Sequence, residues 1–378
     1  MILAIPKETE SHEKRVALTP SLIGPLIKEG LEVRVESGAG MGSWNTDQAY
    51  EEAGAKIAKD AKELYEADII LRVQPPSIDE VKQMKEDSLL ISFLGALQNK
   101  ELVDALKEQK VTALGLEQVP RISRAQKMDA LSSMSSIAGY KATLMAANHL
   151  GKYMPMMMTA AGTIAPAKVL VLGAGVAGLQ SIATARRLGS VVEAFDIRPA
   201  VKEQVESLGA KFVEVPLEED AETEGGYAKE LSEDKQERQR QVIHEHVKKS
   251  DVVITTALVP GKKAPVLVTK AMVDDMKAGS VVVDLAAEQG GNCEVTEADK
   301  TQNVNNVQVI GPVNVPSMLP YHASELYGKN IKAVLDHLLD EGKPVYDFED
   351  QITKDSTVTH QGELVSPSVK EHYEGASA

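Results

Sequence analysis

Three glycines carry the strongest chemical signal in this chain. Gly173, Gly175 and Gly178 stand in G-x-G-x-x-G spacing directly after the apolar run Val169–Leu172. Each has a mechanical reason in a dinucleotide site: a tight turn, close backbone approach to a pyrophosphate, and close helix–strand packing. The helix that begins near Val176 would aim its free N–H groups and its positive dipole end at the phosphates. Asp196 ends the next apolar run, at the distance where a carboxylate takes the hydroxyls of the adenosine ribose. A glycine turn that merely packs a helix, with no ligand, is the plainer alternative.

A second polar constellation lies at Pro120–Asp129, reading Pro-Arg-Ile-Ser-Arg-Ala-Gln-Lys-Met-Asp. It follows the last expected strand of the first domain, at the carboxyl end of a parallel sheet, where ligands gather. Arg121, Gln126 and Asp129 supply a guanidinium, an amide and a carboxylate, which suit a nicotinamide carboxamide and ribose hydroxyls. The same residues also fit an ordinary capped helix start. The eight histidines form no motif, and there is no H-E-x-x-H, C-x-x-C or G-x-S-x-G pattern. His244 and His246 stand two apart on a helical stretch, so they diverge.

These residues need two parallel α/β units to hold them. In the first, short β runs at Ile2–Ile5, Leu31–Val35, Asp68–Val73, Ser88–Leu94 and Val111–Leu116 alternate with helical stretches at 20–29, 46–53, 61–67, 78–86 and 100–109. Thr19 and Asn99 are the expected N-caps of two of these helices. A long helix rich in small residues spans 127–150 and connects the units. Pro155–Pro166 reads as a hairpin or arm, with Met156–Met158 serving as adaptable packing. The second unit runs from Lys168 to about Pro316, with strands near Val191–Phe195, Lys211–Val213, Asp251–Thr255, Ser280–Asp284 and Gln308–Ile310. A helix over Pro320–Asp340 returns the chain, and the tail forms a hairpin around Lys354-Asp355 and Gln361-Gly362. The expected fold is α/β, two Rossmann-like parallel-sheet domains with a cleft between them, a common place for a cofactor. The first domain takes 1–126 plus about 320–378, the connecting helix 127–150, and the NAD(H)-binding domain 151–319.

Composition narrows the function classes. Among 378 residues, 43% are hydrophobic and 26% charged, as in ordinary globular proteins. A net charge of −15 with no basic stripe argues against nucleic acid. The one cysteine, Cys293, excludes an internal disulfide and fits a reducing cytosol. The N-terminus lacks the charged region of a signal peptide. The longest charge-free stretch, Val169–Ala185, holds the three glycines and is not a membrane span, so any membrane role runs through a partner. Val215–Asp234 is acidic and carries Gly225-Gly226-Tyr227; it reads either as a solvated loop or as a lid with an aromatic tip.

With these segments laid out, nearly the whole chain resembles the NAD(H)-binding domain I (alpha) subunits of proton-translocating NAD(P) transhydrogenase. The resemblance rests on Arg-Val-Ala-Leu-Thr-Pro at 15–20, Pro120 through Ala142, Met-Met-Met-Thr-Ala-Ala-Gly-Thr at 156–163, Gly-Gly-Tyr-Ala-Lys-Glu at 225–230, Thr-Thr-Ala-Leu-Val-Pro-Gly-Lys at 255–262 and Gln-Gly-Gly-Asn-Cys at 289–293. It implies that Arg121, Gln126 and Asp129 form a loop over the nicotinamide, with Ser132 just behind. It implies cofactor contacts from Val176, Asp196, Ile197, Arg198, Gly226, Gln239 and Leu258, and a closing loop tipped by Tyr227. It also implies a homodimer, docked at the inner face of the cell membrane on a membrane-embedded subunit. The NADP(H) would be held by a further partner subunit.

Alanine dehydrogenases are similar in fold and share Arg-Val-Ala-x-Thr-Pro and Leu-Val-Pro-Gly. Reductive amination must bind a carboxylate and shuttle protons, and that family places a lysine and a histidine where this chain has Gln74 and Gly95. Hydride exchange between two nicotinamides needs no protein acid or base, only two rings held close with water excluded. The remaining alternatives are an amino-acid dehydrogenase and a non-catalytic NAD(H)-sensing module.

Overall fold

The structure is a computed structural model that describes residues 1–214, 233–259 and 261–375. The chain divides into two compact units, Met1–Met134 with Ser317–Ala378, and Ser135–Pro316.

In the first unit, β1 (Ile2–Ile5), β2 (Glu32–Glu36), β3 (Lys56–Ala58), β4 (Ile69–Leu71), β5 (Leu89–Ser92) and β6 (Thr112–Gly115) pair in parallel in the order β3-β2-β1-β4-β5-β6. The central strands are continuous apolar runs because both of their faces are covered: β4 and β5 are buried at every position. Strand β3 has three residues and is half exposed, which is why no apolar run announces it. Two terminal strands, Thr357–His360 and Glu363–Leu364, extend the sheet antiparallel beyond β6, turning at Gln361-Gly362, both at positive φ. Lys354-Asp355 belongs to the short helix Gln351–Ser356 rather than to that hairpin. There Asp350 accepts from the Ile352 and Thr353 N–H groups and starts a helical turn. The expected caps also differ. Thr19 bonds the Ser21 hydroxyl and Asn99 makes no side-chain cap, whereas Thr46 and Ser77 do cap the helices that follow them.

The second unit begins within the connecting helix Ala130–His149. A hairpin follows, β7 (Met157–Thr159) and β8 (Gly162–Ile164). Met156 and Met158 are 57% and 81% exposed, so they do not pack within the chain as expected. Next come β9 (Lys168–Leu172), β10 (Val191–Phe195), β11 (Lys211–Phe212), β12 (Val252–Thr255), β13 (Val281–Asp284), β14 (Lys300–Val304) and β15 (Val307–Gly311). The order β11-β10-β9-β12-β13-β15 is parallel, and β14 closes the edge antiparallel. This is the doubly wound dinucleotide-binding order, and its topological switch falls between β9 and β12.

The small residues of the connecting helix serve close packing. A Cβ at Gly139 would overlap the Ala177 carbonyl oxygen. The Ser181 hydroxyl donates to the Gly139 carbonyl at 3.0 Å, and Thr143 Oγ1 donates to the Ser181 carbonyl at 3.2 Å. Together they lock the helix that opens at the glycine turn against its neighbour. Among the described residues, no helix is long and apolar enough to cross a membrane.

Candidate functional site

Strand β9 ends at Leu172, and the chain turns at Gly173, whose φ of +99° favours glycine. Its N–H donates to the Phe195 carbonyl at 2.8 Å, and an added Cβ would sit 2.6 Å from Thr256 Oγ1. Thr256 itself follows β12 and donates to the Gly173 carbonyl at 3.1 Å, which ties the two strands together at the switch. A Cβ at Gly178 would overlap the Gly173 carbonyl oxygen, so the helix Val176–Arg187 can approach the turn only without one. Gly175 is different. It is the N-cap, makes no side-chain bond, and has nothing within 4 Å of the place its Cβ would occupy. Two glycines are thus required by packing, and the third leaves a cradle in front of first-turn N–H groups that the helix itself cannot satisfy. A pyrophosphate fits that donor set.

Asp196 lies just beyond β10. Its Oδ2 accepts from the Ala174 N–H at 2.7 Å and from Arg198 Nη2 at 2.8 Å; its Oδ1 accepts from the Arg198 N–H and Nε, each at 2.9 Å. Ile197 packs against the core behind the sheet, and Val176 and Leu258 are exposed. Gln239, on the helix Glu233–Val247, is buried, and its Oε1 has no hydrogen-bond partner among the described residues. An orphaned buried acceptor is what a ligand hydroxyl or amide would satisfy. Gly226 and Tyr227, with the rest of the expected lid, lie outside the described residues.

The loop after β12 is held by residues that spacing alone does not single out. Asn292 is fully buried. Its Nδ2 donates to the Ala257 and Pro265 carbonyls at 2.8 Å each, and its Oδ1 accepts from the Ala257 N–H at 2.9 Å. Asp284, at the end of β13, accepts from Thr255 Oγ1 and from the N–H groups of Ala286 and Cys293. Burial pushes the Cys293 thiol up to about 11, so it is inert.

In the first unit, Arg121 and Gln126 are exposed, Gln126 on the 3₁₀ turn Ser123–Met128. Asp129 does what a helix start asks: Oδ1 accepts from the Ser132 N–H at 2.8 Å and Oδ2 from the Ser132 hydroxyl at 2.5 Å. The turn is anchored from the far end of the sequence. Asn330, buried on the helix Pro320–Leu338, donates Nδ2 to the Lys127 carbonyl at 2.9 Å while its Oδ1 stays unpartnered. Arg124 pairs with Asp350 at 2.8 Å, and Asp350 also bonds His337 Nε2 at 3.1 Å. Sequence reading missed both anchors, which lie 203 and 226 residues away.

The carboxyl edge of the first sheet is filled by the chain's own carboxylates. Glu8, just past β1, accepts from the Val73 and Gln74 N–H groups at 2.6 and 3.2 Å and lies 3.5 Å from Arg72. Burial outweighs these favourable partners and pushes its carboxyl up to about 6. Glu117, half-buried, accepts from the Leu94 and Ala96 N–H groups at 3.1 Å each, around the turn at Gly95, and desolvation pushes its carboxyl up as well. Arg15 forks onto Glu13 through Nε at 2.8 Å and Nη2 at 2.6 Å, and the Gln74 amide donates to the same carboxylate at 2.7 Å.

Comparison with known proteins agrees with this layout. Residues 4–138 match the alanine dehydrogenase/PNT N-terminal domain family, and 142–367 match the corresponding C-terminal domain family. The NAD(P) transhydrogenase subunit alpha of Haemophilus influenzae is 47% identical over 371 residues, covering 97% of this chain and 72% of its own. The alanine dehydrogenase of Staphylococcus epidermidis is 32% identical over 328 residues, 85% of this chain and 82% of its own. The crystal structure of transhydrogenase from Sinorhizobium meliloti matches with a TM-score of 0.85 at 43% identity, over 97% of this chain and all of that one.

Proposed function

The chain belongs to the alanine dehydrogenase/PNT family, and on that premise we propose that it is the NAD(H)-binding subunit of a proton-translocating NAD(P) transhydrogenase. It passes hydride between its own NAD(H) and NADP(H) held by a partner subunit. The observation that carries this over the amino-acid dehydrogenase reading is the state of Gln74 and Gly95. One offers a neutral amide bonded to Glu13; the other has no side chain, so neither an ammonium group nor an imidazole serves an oxo acid there.

When bound, the nicotinamide ring donates or accepts a hydride at carbon. Everything else is positioning by this chain's residues. The N–H groups behind Gly175 hold the pyrophosphate, Asp196 takes the adenosine ribose, and Gln239 supplies its unpartnered acceptor. Val176, Ile197 and Leu258 offer apolar surface to the cofactor. Arg121 and Gln126 orient the nicotinamide end, with Asp129 and Ser132 fixing the end of their loop. A glutamine amide does not ionise near neutral pH, so it can hold two nucleotides together without offering a proton path. Gly226 and Tyr227 belong to the closing loop in this reading.

The exposed Met156, Met158 and Ile164 of the hairpin supply an apolar edge for a homodimer. Membrane association, at the cytoplasmic face, runs through a membrane-embedded partner subunit.

The test mixes the purified chain with an NADP(H)-binding transhydrogenase subunit and follows hydride transfer from NADH to an NADP analogue. Fast transfer is expected, slowed by about a hundredfold or more in Gln126→Asn, with NADH affinity changed less than the rate. Pyruvate-dependent NADH oxidation by the chain alone would overturn the assignment. NADH binding with no transfer in the mixture would point instead to a sensing module.

A further inference from the structure

Asp196 is the residue on which the adenosine-ribose assignment depends, and its acceptor capacity is already full. An ionised carboxylate offers about four lone-pair sites. Two donors are backbone groups, the N–H of Ala174 and that of Arg198. The other two are Nε and Nη2 of the Arg198 side chain, in the bidentate geometry that guanidinium and carboxylate favour. A ribose diol donates two hydroxyls. Both cannot be accepted while all four sites are taken. The backbone donors are fixed by the glycine turn and by the chain itself, so only the guanidinium can leave. Its side chain is 17% exposed, against 6% for Asp196, so it retains a route into water.

We propose that the Arg198 side chain is an internal competitor of the adenosine ribose and thereby a specificity-determining residue. This deepens the cofactor reading above and rests on it. Nucleotide binding exchanges the guanidinium on Asp196 for two ribose hydroxyls. The released cation then stands beside the ribose 2′ position. With a 2′-hydroxyl there it contributes nothing that offsets its departure; with a 2′-phosphate it gains an anion, which softens the repulsion from Asp196. Arg198 therefore costs affinity for NADH and narrows the gap to NADPH.

The experiment titrates the full chain with NADH and with NADPH by fluorescence, in wild type, Arg198→Ala and Arg198→Gln. Circular dichroism confirms folding of each, and the Gln variant retains the length of the stem if the Ala variant does not fold. The neutral variants should bind NADH about fivefold tighter, the scale of one partly exposed ion pair, and NADPH no tighter. Competition by ADP should show the same gain, and 2′,3′-dideoxyadenosine 5′-diphosphate, which has no diol to exchange, should show none. NADH affinity unchanged or weakened in the neutral variants would overturn the proposal and make Arg198 a bystander or a direct cofactor contact. An equal gain for the dideoxy nucleotide would also overturn it, since the effect would then be one of general charge. Wild type that binds no NADH at all would overturn the cofactor reading itself.

Discussion

Both sheets share one strand order, β3-β2-β1-β4-β5-β6 in the first unit and β11-β10-β9-β12-β13-β15 in the second, yet their switch points are furnished in opposite ways. Past β9 stands a glycine turn with an open cradle at Gly175. Past β1 stands Glu8, whose carboxylate already takes the two N–H groups that follow β4. Farther along the same edge, Glu117 fills the N–H groups around Gly95. A doubly wound sheet generates inward-facing backbone donors at its carboxyl edge whatever its role. Whether those donors await an anion or already hold one is decided by a few side chains at that edge. Similarity of fold alone would assign a nucleotide to each unit; in the function proposed above, the residues leave room for it at one.

The harshest way to break this contrast is to close the open switch. Gly178→Val drives a side chain into the Gly173 carbonyl and should cost about 3 kcal/mol or more, seen as loss of NADH binding by about a hundredfold in calorimetry. Retained affinity would mean that the glycine turn is not the anion site. Next is to empty the filled switch. Glu117→Leu leaves two buried N–H groups without an acceptor, at about 2 kcal/mol of stability in thermal unfolding, while Glu117→Gln keeps an acceptor oxygen and should lose less. If NADH affinity fell along with stability, the separation of roles between the units would fail.

The mildest probe is titration of Glu8. Its folded carboxyl keeps its proton to about pH 6 against a usual value of 4.5. The folded state therefore binds more protons than the unfolded chain between those values. Wild-type stability, measured relative to Glu8→Gln, should fall as pH rises through that window, by up to about 2 kcal/mol, and stay level on either side. A difference that is flat from pH 4 to about pH 7 would show that Glu8 titrates alike in the folded and unfolded chain, its burial offset by Arg72 and the two N–H groups.

Much of the scaffold was legible in the sequence, because a strand covered on both faces must be an uninterrupted apolar run. Ile2–Ile5 could be placed to the residue for that reason; Val191–Phe195, which Glu193 interrupts, was placed by its spacing from the glycine turn. The glycine turn was legible because a positive φ favours glycine at 173 and backbone overlap excludes any side chain at 178. Short or edge elements were not: β3 is half exposed, and the terminal strands join β6 from more than two hundred residues away. The candidate site divides in the same way. Asp129 carries one carboxylate that suits a ligand or a helix cap equally, and only the folded chain shows it bonded to Ser132. Asp196 and Arg198 stand two apart, a spacing that says nothing of whether their side chains meet. Asn330, Asp350 and Asn292 act on segments remote in sequence, so no local pattern could have named them.

The exposed hairpin has a consequence in oxidation chemistry. Met156 and Met158 place their thioethers in water, within reach of any soluble peroxide. Conversion to the sulfoxide turns a flexible apolar side chain into a polar, chiral one. The apolar edge proposed above for a homodimer would then carry dipoles, and any such self-association would depend on the redox history of the sample as well as on its concentration.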